Sequence, residues 1–210
     1  MIFSFFRWLA IINAYPVQLL LFKRKTYYEN KAVQGKKIKG GVLVISNHYN
    51  FFDYVLNMFM LLPRKLNVVA GEIGYSNRFI AWGTRCFGGI KCDRIIKSMR
   101  FIDESVKLLK KGKLVQIFPE GHNTRDGNMD QFKTSYLMIA LRAKSPIVPI
   151  ITDGNYGFFK RAHVIIGTPI NLSDYCKSEN PSKEEIVALN EIVYNKALSL
   201  RARLKELGGK

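Results

Sequence analysis

Five short runs of nearly unbroken apolar residues, separated by longer amphipathic stretches, set the texture of this chain from residue 41 onward: Val42 to Ser46, Leu66 to Ala70, Leu114 to Phe118, Ile147 to Ile151 and His163 to Ile166. Runs this short and this rich in Val and Ile read as strands, and their lack of polar alternation reads as burial on both faces. A sheet buried on both faces needs helices on both sides. The expected class is therefore α/β, a single domain with a mixed, mostly parallel sheet flanked by helices. Ile96 to Lys111 reads as one such helix, with Lys110, Lys111 and Gly112 as a basic last turn and a stop. Thr134 to Ala143 reads as another. In the tail from Ser182 to Leu207, Ser182 and Glu185 form a capping-box pattern, and Ile186, Leu189, Val193, Ala197, Leu200 and Leu204 recur at spacings of three and four. That stripe is core packing, not chemistry.

The chain upstream has a different texture. The first 22 residues carry one charge, Arg7, and are followed at once by Lys23, Arg24 and Lys25. A membrane-spanning helix wants about 20 uninterrupted apolar residues, whereas Arg7, Asn13, Pro16 and Gln18 interrupt this run. Pro16 is expected to kink or end a helix. N-terminal membrane-contacting helices, interfacial or half-inserted, are thus expected to precede the domain. The basic cluster, extended by Lys31, Lys36, Lys37 and Lys39, is expected to sit among anionic head groups on the cytoplasmic face of the cell membrane, as a monotopic or peripheral attachment. A secretory signal would need a basic start and a small-residue cleavage site, and an ordinary core helix would not be apolar on nearly every face. The expected division is 1–40 as the membrane-association segment and 41–210 as the α/β domain.

Lys and Arg number 33 against 16 Asp and Glu, a formal net charge of +17. A basic field of this size concentrates nucleic acid, anionic bilayers and phosphorylated small molecules alike. Nucleic-acid binding would call for aromatics interleaved with the basic residues. Here the aromatics gather in the apolar N-terminus and the core, so no nucleic-acid partner is expected. Cys86, Cys92 and Cys176 are odd in number and form neither CxxC pairs nor a zinc-spaced set with histidine. No metal and no disulfide framework are expected, in keeping with a reducing compartment.

Residues able to carry chemistry fall at the ends of the predicted strands, where open α/β sheets place ligand sites. His48 and Asp53 follow the first run, within Ser46-Asn47-His48-Tyr49-Asn50-Phe51-Phe52-Asp53. Five residues of continuous helix would turn the two side chains about 140° apart, so the pair works only if His48 sits in the turn before a helix. In that geometry Asp53 accepts a hydrogen bond from one imidazole nitrogen and leaves the other free to take a proton from a hydroxyl. Phe118-Pro119-Glu120-Gly121-His122-Asn123-Thr124-Arg125 follows another strand, and Glu120 between Pro119 and Gly121 is an awkward place for a carboxylate unless it pairs with a base or a substrate group. Arg125 and Lys133 add donors suited to phosphate. In Gly88-Gly89-Ile90-Lys91-Cys92-Asp93-Arg94, paired glycines let backbone approach a ligand, and the cations Lys91 and Arg94 follow. Ser145-Pro146-Ile147-Val148-Pro149-Ile150 has no titratable group, so its role is shape, either a strand edge or an apolar wall. The nearest serine-hydrolase candidate, Gly74-Tyr75-Ser76-Asn77-Arg78, lacks the closing glycine of a nucleophile elbow.

These four segments, in this order, resemble the glycerolipid acyltransferases typified by 1-acyl-glycerol-3-phosphate acyltransferase, over residues 41 to about 170. The resemblance implies an HxxxxD pair, here His48 and Asp53, that activates an acceptor hydroxyl for direct attack on an acyl thioester. It implies no acyl-enzyme and no cofactor, with acyl-CoA or acyl carrier protein as donor substrate. Its motifs map to Arg94 and to Phe118 through Gly121, with Glu120 and Gly121 among them, for binding the acceptor's phosphate and glycerol; Asn47, Lys91, Arg125 and Lys133 are expected to bind substrate beside them. The implied function is acylation of the free hydroxyl of a lysophospholipid, 1-acyl-glycerol-3-phosphate, giving phosphatidic acid. Glycerol 3-phosphate or another lysophospholipid is the alternative acceptor. The chain departs from the family pattern at Asn50, where many members have Ser, and at Asn123, where many have Arg; Arg125 stands two places on as its substitute.

Overall fold

The computed structural model describes residues 2–31, 39–93, 99–124, 128–178 and 181–209. Seven strands form one sheet: β1 (Lys25–Tyr28), β2 (Val42–Ser46), β3 (Leu66–Ala70), β4 (Gly89–Lys91), β5 (Leu114–Ile117), β6 (Ile147–Thr152) and β7 (His163–Ile166). Their order is β1-β7-β6-β2-β5-β3-β4. The run from β6 to β4 is parallel, β7 is antiparallel to β6, and β1 is parallel to β7. β2 thus lies mid-sheet between β6 and β5, and all three point their C-terminal ends the same way.

Both faces are covered, as the unbroken apolar runs require. Leu43, Ile45, Val115, Ile117, Ile147 and Ile151 pack against three helices: α4 (Arg100–Lys110), α5 (Ser135–Ala143) and α6 (Lys183–Glu206). Val42, Val44, Leu66, Leu114, Val148 and Ile150 face the other way, toward α1 (Ile2–Phe22) and α2 (Phe52–Met60). A further helix, α3 (Arg78–Cys86), leans on α1 through the edge-on contact of Trp82 with Phe6. The Ser182 hydroxyl accepts from the Glu185 N–H, and the Glu185 carboxylate accepts from the Ser182 N–H, so the capping box starts α6 as expected. Residues 96–98 of the helix expected from Ile96 lie outside the described residues.

Three features differ from the sequence reading, and a fourth bears on the N-terminal helix. β1 sits at the sheet edge beside β7, held by Lys25 N–H to the Ala162 carbonyl at 2.8 Å and Glu29 N–H to the Ile166 carbonyl at 3.0 Å. The sheet therefore begins upstream of residue 41. The fourth motif is not an edge, for β6 is buried between β7 and β2. Pro16 does not end a helix: α1 runs through it as a single element, with Ile11 on one side and Gln18 and Phe22 on the other buried against the domain. Lastly, α1 is inverted relative to a water-facing helix. Arg7 and Gln18 are buried, with the Arg7 guanidinium donating to the Leu66 carbonyl, while Ile2, Phe5, Leu9, Ile12, Leu19 and Leu20 point outward. Among the described residues it is the one helix long and apolar enough to cross a membrane.

Candidate active site

The turn after β2 brings His48 and Asp53 together. His48 stands before the helix and Asp53 in the first turn of α2, which is the arrangement their spacing demands. His48 Nδ1 lies 3.0 Å from Asp53 Oδ2. A carboxylate can only accept, so the shared proton sits on Nδ1 and Nε2 is left as the basic nitrogen. The same Oδ2 accepts the backbone N–H groups of Tyr49 at 2.6 Å and Asn50 at 2.7 Å. Oδ1 accepts the Tyr156 hydroxyl, and that hydroxyl in turn accepts from Thr152 Oγ1 at 3.0 Å. Four donors and no acceptor therefore meet one fully buried carboxylate, which leaves it a single orientation. Burial pushes the Tyr156 hydroxyl well above the usual phenol range, and the neighbouring Asp53 charge adds to the effect. Tyr156 is thus held as a proton donor to Asp53.

His48 itself is clamped from the β5 side. Phe118 stacks on the imidazole with ring centroids 3.9 Å apart and planes 15° from parallel. Glu120, buried at the end of the same strand, accepts the His48 N–H through Oε1 at 3.0 Å. Its Oε2 accepts the Thr124 hydroxyl at 2.8 Å and the Asp130 N–H at 3.0 Å. Thr124 N–H closes the bracket on the His48 carbonyl at 2.7 Å. The His48 side chain remains 20% exposed, and among the described residues Nε2 makes no hydrogen bond, so this nitrogen of a fixed ring is available to a substrate hydroxyl. Such a base needs no metal to act, and among the described residues no three His, Cys, Asp or Glu side chains gather to hold one.

A family model described as Acyltransferase matches residues 24–153, a span that includes His48, Asp53 and Glu120. The chain belongs to the acyltransferase family. It is 29% identical over 175 residues to the 1-acyl-sn-glycerol-3-phosphate acyltransferase of Bacillus subtilis, covering 81% of this chain and 82% of that one. To the enzyme of the same name from Haemophilus influenzae it is 27% identical over 161 residues, covering 71% and 66%. The crystal structure of the 1-acyl-sn-glycerophosphate acyltransferase PlsC from Thermotoga maritima superposes with a TM-score of 0.61 at 21% identity, covering 90% of this chain and 74% of that one. That likeness establishes the fold.

Several residues expected to bind substrate in this acyltransferase occupy defined places. Asn47 is buried, and its amide mimics a strand: Nδ2 donates to the Thr152 carbonyl at 2.9 Å and Oδ1 accepts the Thr152 N–H at 3.0 Å, tying the end of β2 to the end of β6. Glu120 directs both oxygens at the backbone and hydroxyl groups that hold His48. Gly121, at φ +78°, passes beneath Lys133, whose ammonium would stand 2.8 Å from any Cβ placed there. Lys133 therefore reaches the loop beside the dyad. Lys91 is an exposed cation 3.3 Å from Asp93, at the far sheet edge on β4. Arg94 and Arg125 lie outside the described residues. The paired glycines serve packing: a Cβ on Gly89 would stand 2.2 Å from Thr84 Cγ2, and one on Gly88, at φ +80°, would stand 2.9 Å from an Arg7 guanidinium nitrogen.

Tyr156 and Thr152 were invisible to motif reading. Tyr156 lies in the connection from β6 to β7, 103 residues from the carboxylate it touches. Only the fold brings that loop to the end of β2.

Proposed function

We propose that this acyltransferase moves a fatty acyl group from an acyl thioester to the free hydroxyl of 1-acyl-glycerol-3-phosphate. The observation that carries the reading is the fixed dyad, with Nδ1–H on Asp53 and an open Nε2. Nε2 takes the acceptor's hydroxyl proton as its oxygen attacks the thioester carbonyl carbon. The tetrahedral intermediate then collapses, the C–S bond breaks, and the imidazolium returns the proton to the departing thiolate. The new C–O bond replaces the C–S bond, so no net proton is released and no acyl-enzyme forms. General-base catalysis of this kind contributes about 10²- to 10⁴-fold. The buried Asp53 charge adds by facing the imidazolium as it forms.

Acyl-CoA and acyl carrier protein present the same phosphopantetheine thioester and both suit this chemistry. The acceptor assignment is supported by the Bacillus and Haemophilus relatives, both 1-acyl-sn-glycerol-3-phosphate acyltransferases. Lys133 over Gly121 is a donor suited to the acceptor's phosphate, with Arg94 and Arg125 proposed to complete that set. The inverted polarity of α1 and the cations that follow it suit a helix lying in the interface of an anionic bilayer, half immersed, with the dyad near the surface that holds acceptor and product.

Acylation assays of the purified chain with both donors test the reading, using 1-acyl-glycerol-3-phosphate, glycerol 3-phosphate and neutral or choline-bearing lysolipids as acceptors. The expected outcome is the highest kcat/KM with 1-acyl-glycerol-3-phosphate. A higher kcat/KM with any other acceptor would reassign the substrate, and turnover with none would refute the activity.

A further inference from the structure

The connection from β6 to β7, residues 153–162, carries Tyr156 on its inner side and two aromatic side chains that the acyl-transfer reading leaves without a role. Phe158 is 54% exposed and Phe159 is 102% exposed, as open as a side chain can be. Apolar rings gain most of their stabilisation from leaving water, so a fully solvated phenylalanine at the tip of a well-held loop calls for a partner outside the chain.

The loop is well held. Asp153 N–H donates to the His163 carbonyl and Asp153 Oδ1 accepts the His163 N–H, both at 3.1 Å, and Asn155 Nδ2 donates to the Arg161 carbonyl at 3.1 Å. A tight turn, Lys160 N–H to the Gly157 carbonyl at 3.0 Å, carries the two rings. The loop is also fastened to the end of α1: Gly157 N–H donates to the Leu21 carbonyl at 2.9 Å and Ala162 N–H to the Phe22 carbonyl at 2.8 Å, while Phe22 packs edge-on against Tyr156 with centroids 5.4 Å apart. The exposed rings therefore follow directly on the residue bonded to the end of α1, a helix whose own exposed side chains include Leu19 and Leu20. Exposed cations follow on both elements, Lys23 after α1 and Lys160 and Arg161 after the rings. Aromatic rings beside cations match the boundary between acyl chains and anionic head groups.

We propose that the Phe158–Phe159 tip is a second lipid contact, inserted into an anionic bilayer beside the end of α1. It rests on the reading of α1 as an interfacial helix. With α1 it makes a two-point attachment that sets the height of the dyad above the bilayer, because the loop that enters the lipid also carries Tyr156 to Asp53.

The full-length chain is tested by co-sedimentation with vesicles of phosphatidylglycerol and phosphatidylcholine. Three proteins are compared: the wild type, Phe158→Ser/Phe159→Ser, and Leu19→Ser/Leu20→Ser. The expected result is wild-type binding, with the tip variant about tenfold to a hundredfold weaker at an unchanged melting temperature. A tip variant that binds as tightly as the wild type, while the α1 variant is weakened, would overturn the tip proposal and leave the α1 reading standing. A wild type that fails to bind would overturn both. Phe159→Trp supplies a direct readout: its added fluorescence is expected to be quenched by brominated lipid, and unquenched emission would refute insertion. A tip variant that binds vesicles normally and loses activity only with an acyl carrier protein donor would instead make the tip a protein contact and overturn the proposal.

Discussion

Tyr156→Phe removes one oxygen and leaves the ring in its contacts with Phe22 and Phe52. What disappears is the hydrogen bond to Asp53 Oδ1 and the acceptor for the Thr152 hydroxyl. A hydrogen bond to a buried charge contributes about 1.5–3 kcal/mol. At about 2–4 °C per kcal/mol for a chain of this size, the melting temperature should fall by about 3–12 °C. Asp53 keeps His48, Tyr49 and Asn50 as donors, so the dyad survives in a looser form. The bond energy caps the loss of turnover at about a hundredfold, and a fall in kcat of about tenfold is expected. The split between kcat and KM separates positioning from binding: the fall should lie in kcat, with the acceptor KM little changed. A variant with wild-type kcat would refute the role given to Tyr156.

Glu120→Gln keeps the shape of the side chain but puts an amide nitrogen where one carboxylate oxygen accepts; kcat should fall about tenfold or more with the acceptor KM nearly constant, and a change confined to KM would return Glu120 to acceptor binding. Glu29 ties β1 to α6: burial opposes its ionisation, but hydrogen bonds from Lys196 and Thr168 outweigh that and hold its carboxyl below the usual range. A lowered carboxyl pKa stabilises the fold above the ordinary value near 4.3 and loses that contribution as pH falls through the lowered one. The melting-temperature gap between wild type and Glu29→Gln should thus be full at pH 7 and shrink below about pH 4; a gap independent of pH would contradict it. Gly89→Ala should lower the melting temperature by several degrees through overpacking against Thr84 and leave the KM for acceptor and donor unchanged. A raised KM at wild-type stability would restore the ligand-approach reading of the paired glycines.

The buried core was legible because its signal is local. β2, β3 and β7 fall on the residues their apolar runs marked, and α6 starts at its capping box. β1 and β4 escaped because Lys-Thr-Tyr-Tyr and Gly-Ile-Lys are edge segments whose pairing is decided by β7 and β3, not by any apolar run of their own. The continuity of α1 through Pro16 escaped for a related reason: local propensity predicts a break, whereas the helix, buried at Ile11, Gln18 and Phe22, runs through it. The dyad was readable from a spacing and a strand end. Its supports were not, since Glu120 and Tyr156 meet it across 72 and 103 residues of chain. Residue types in a motif announced that Glu120 mattered, but only the fold shows that its carboxylate grips the His48 backbone.

The proposed role of His48 as the base in acyl transfer is tested by kcat of His48→Ala against the wild type with 1-acyl-glycerol-3-phosphate and acyl-CoA. Phe118 and Asp53 remain in that variant, and a wild-type melting transition would certify the fold. A loss of turnover of about 10²-fold or more is expected, whereas a folded His48→Ala chain that turned over at the wild-type rate would contradict that role.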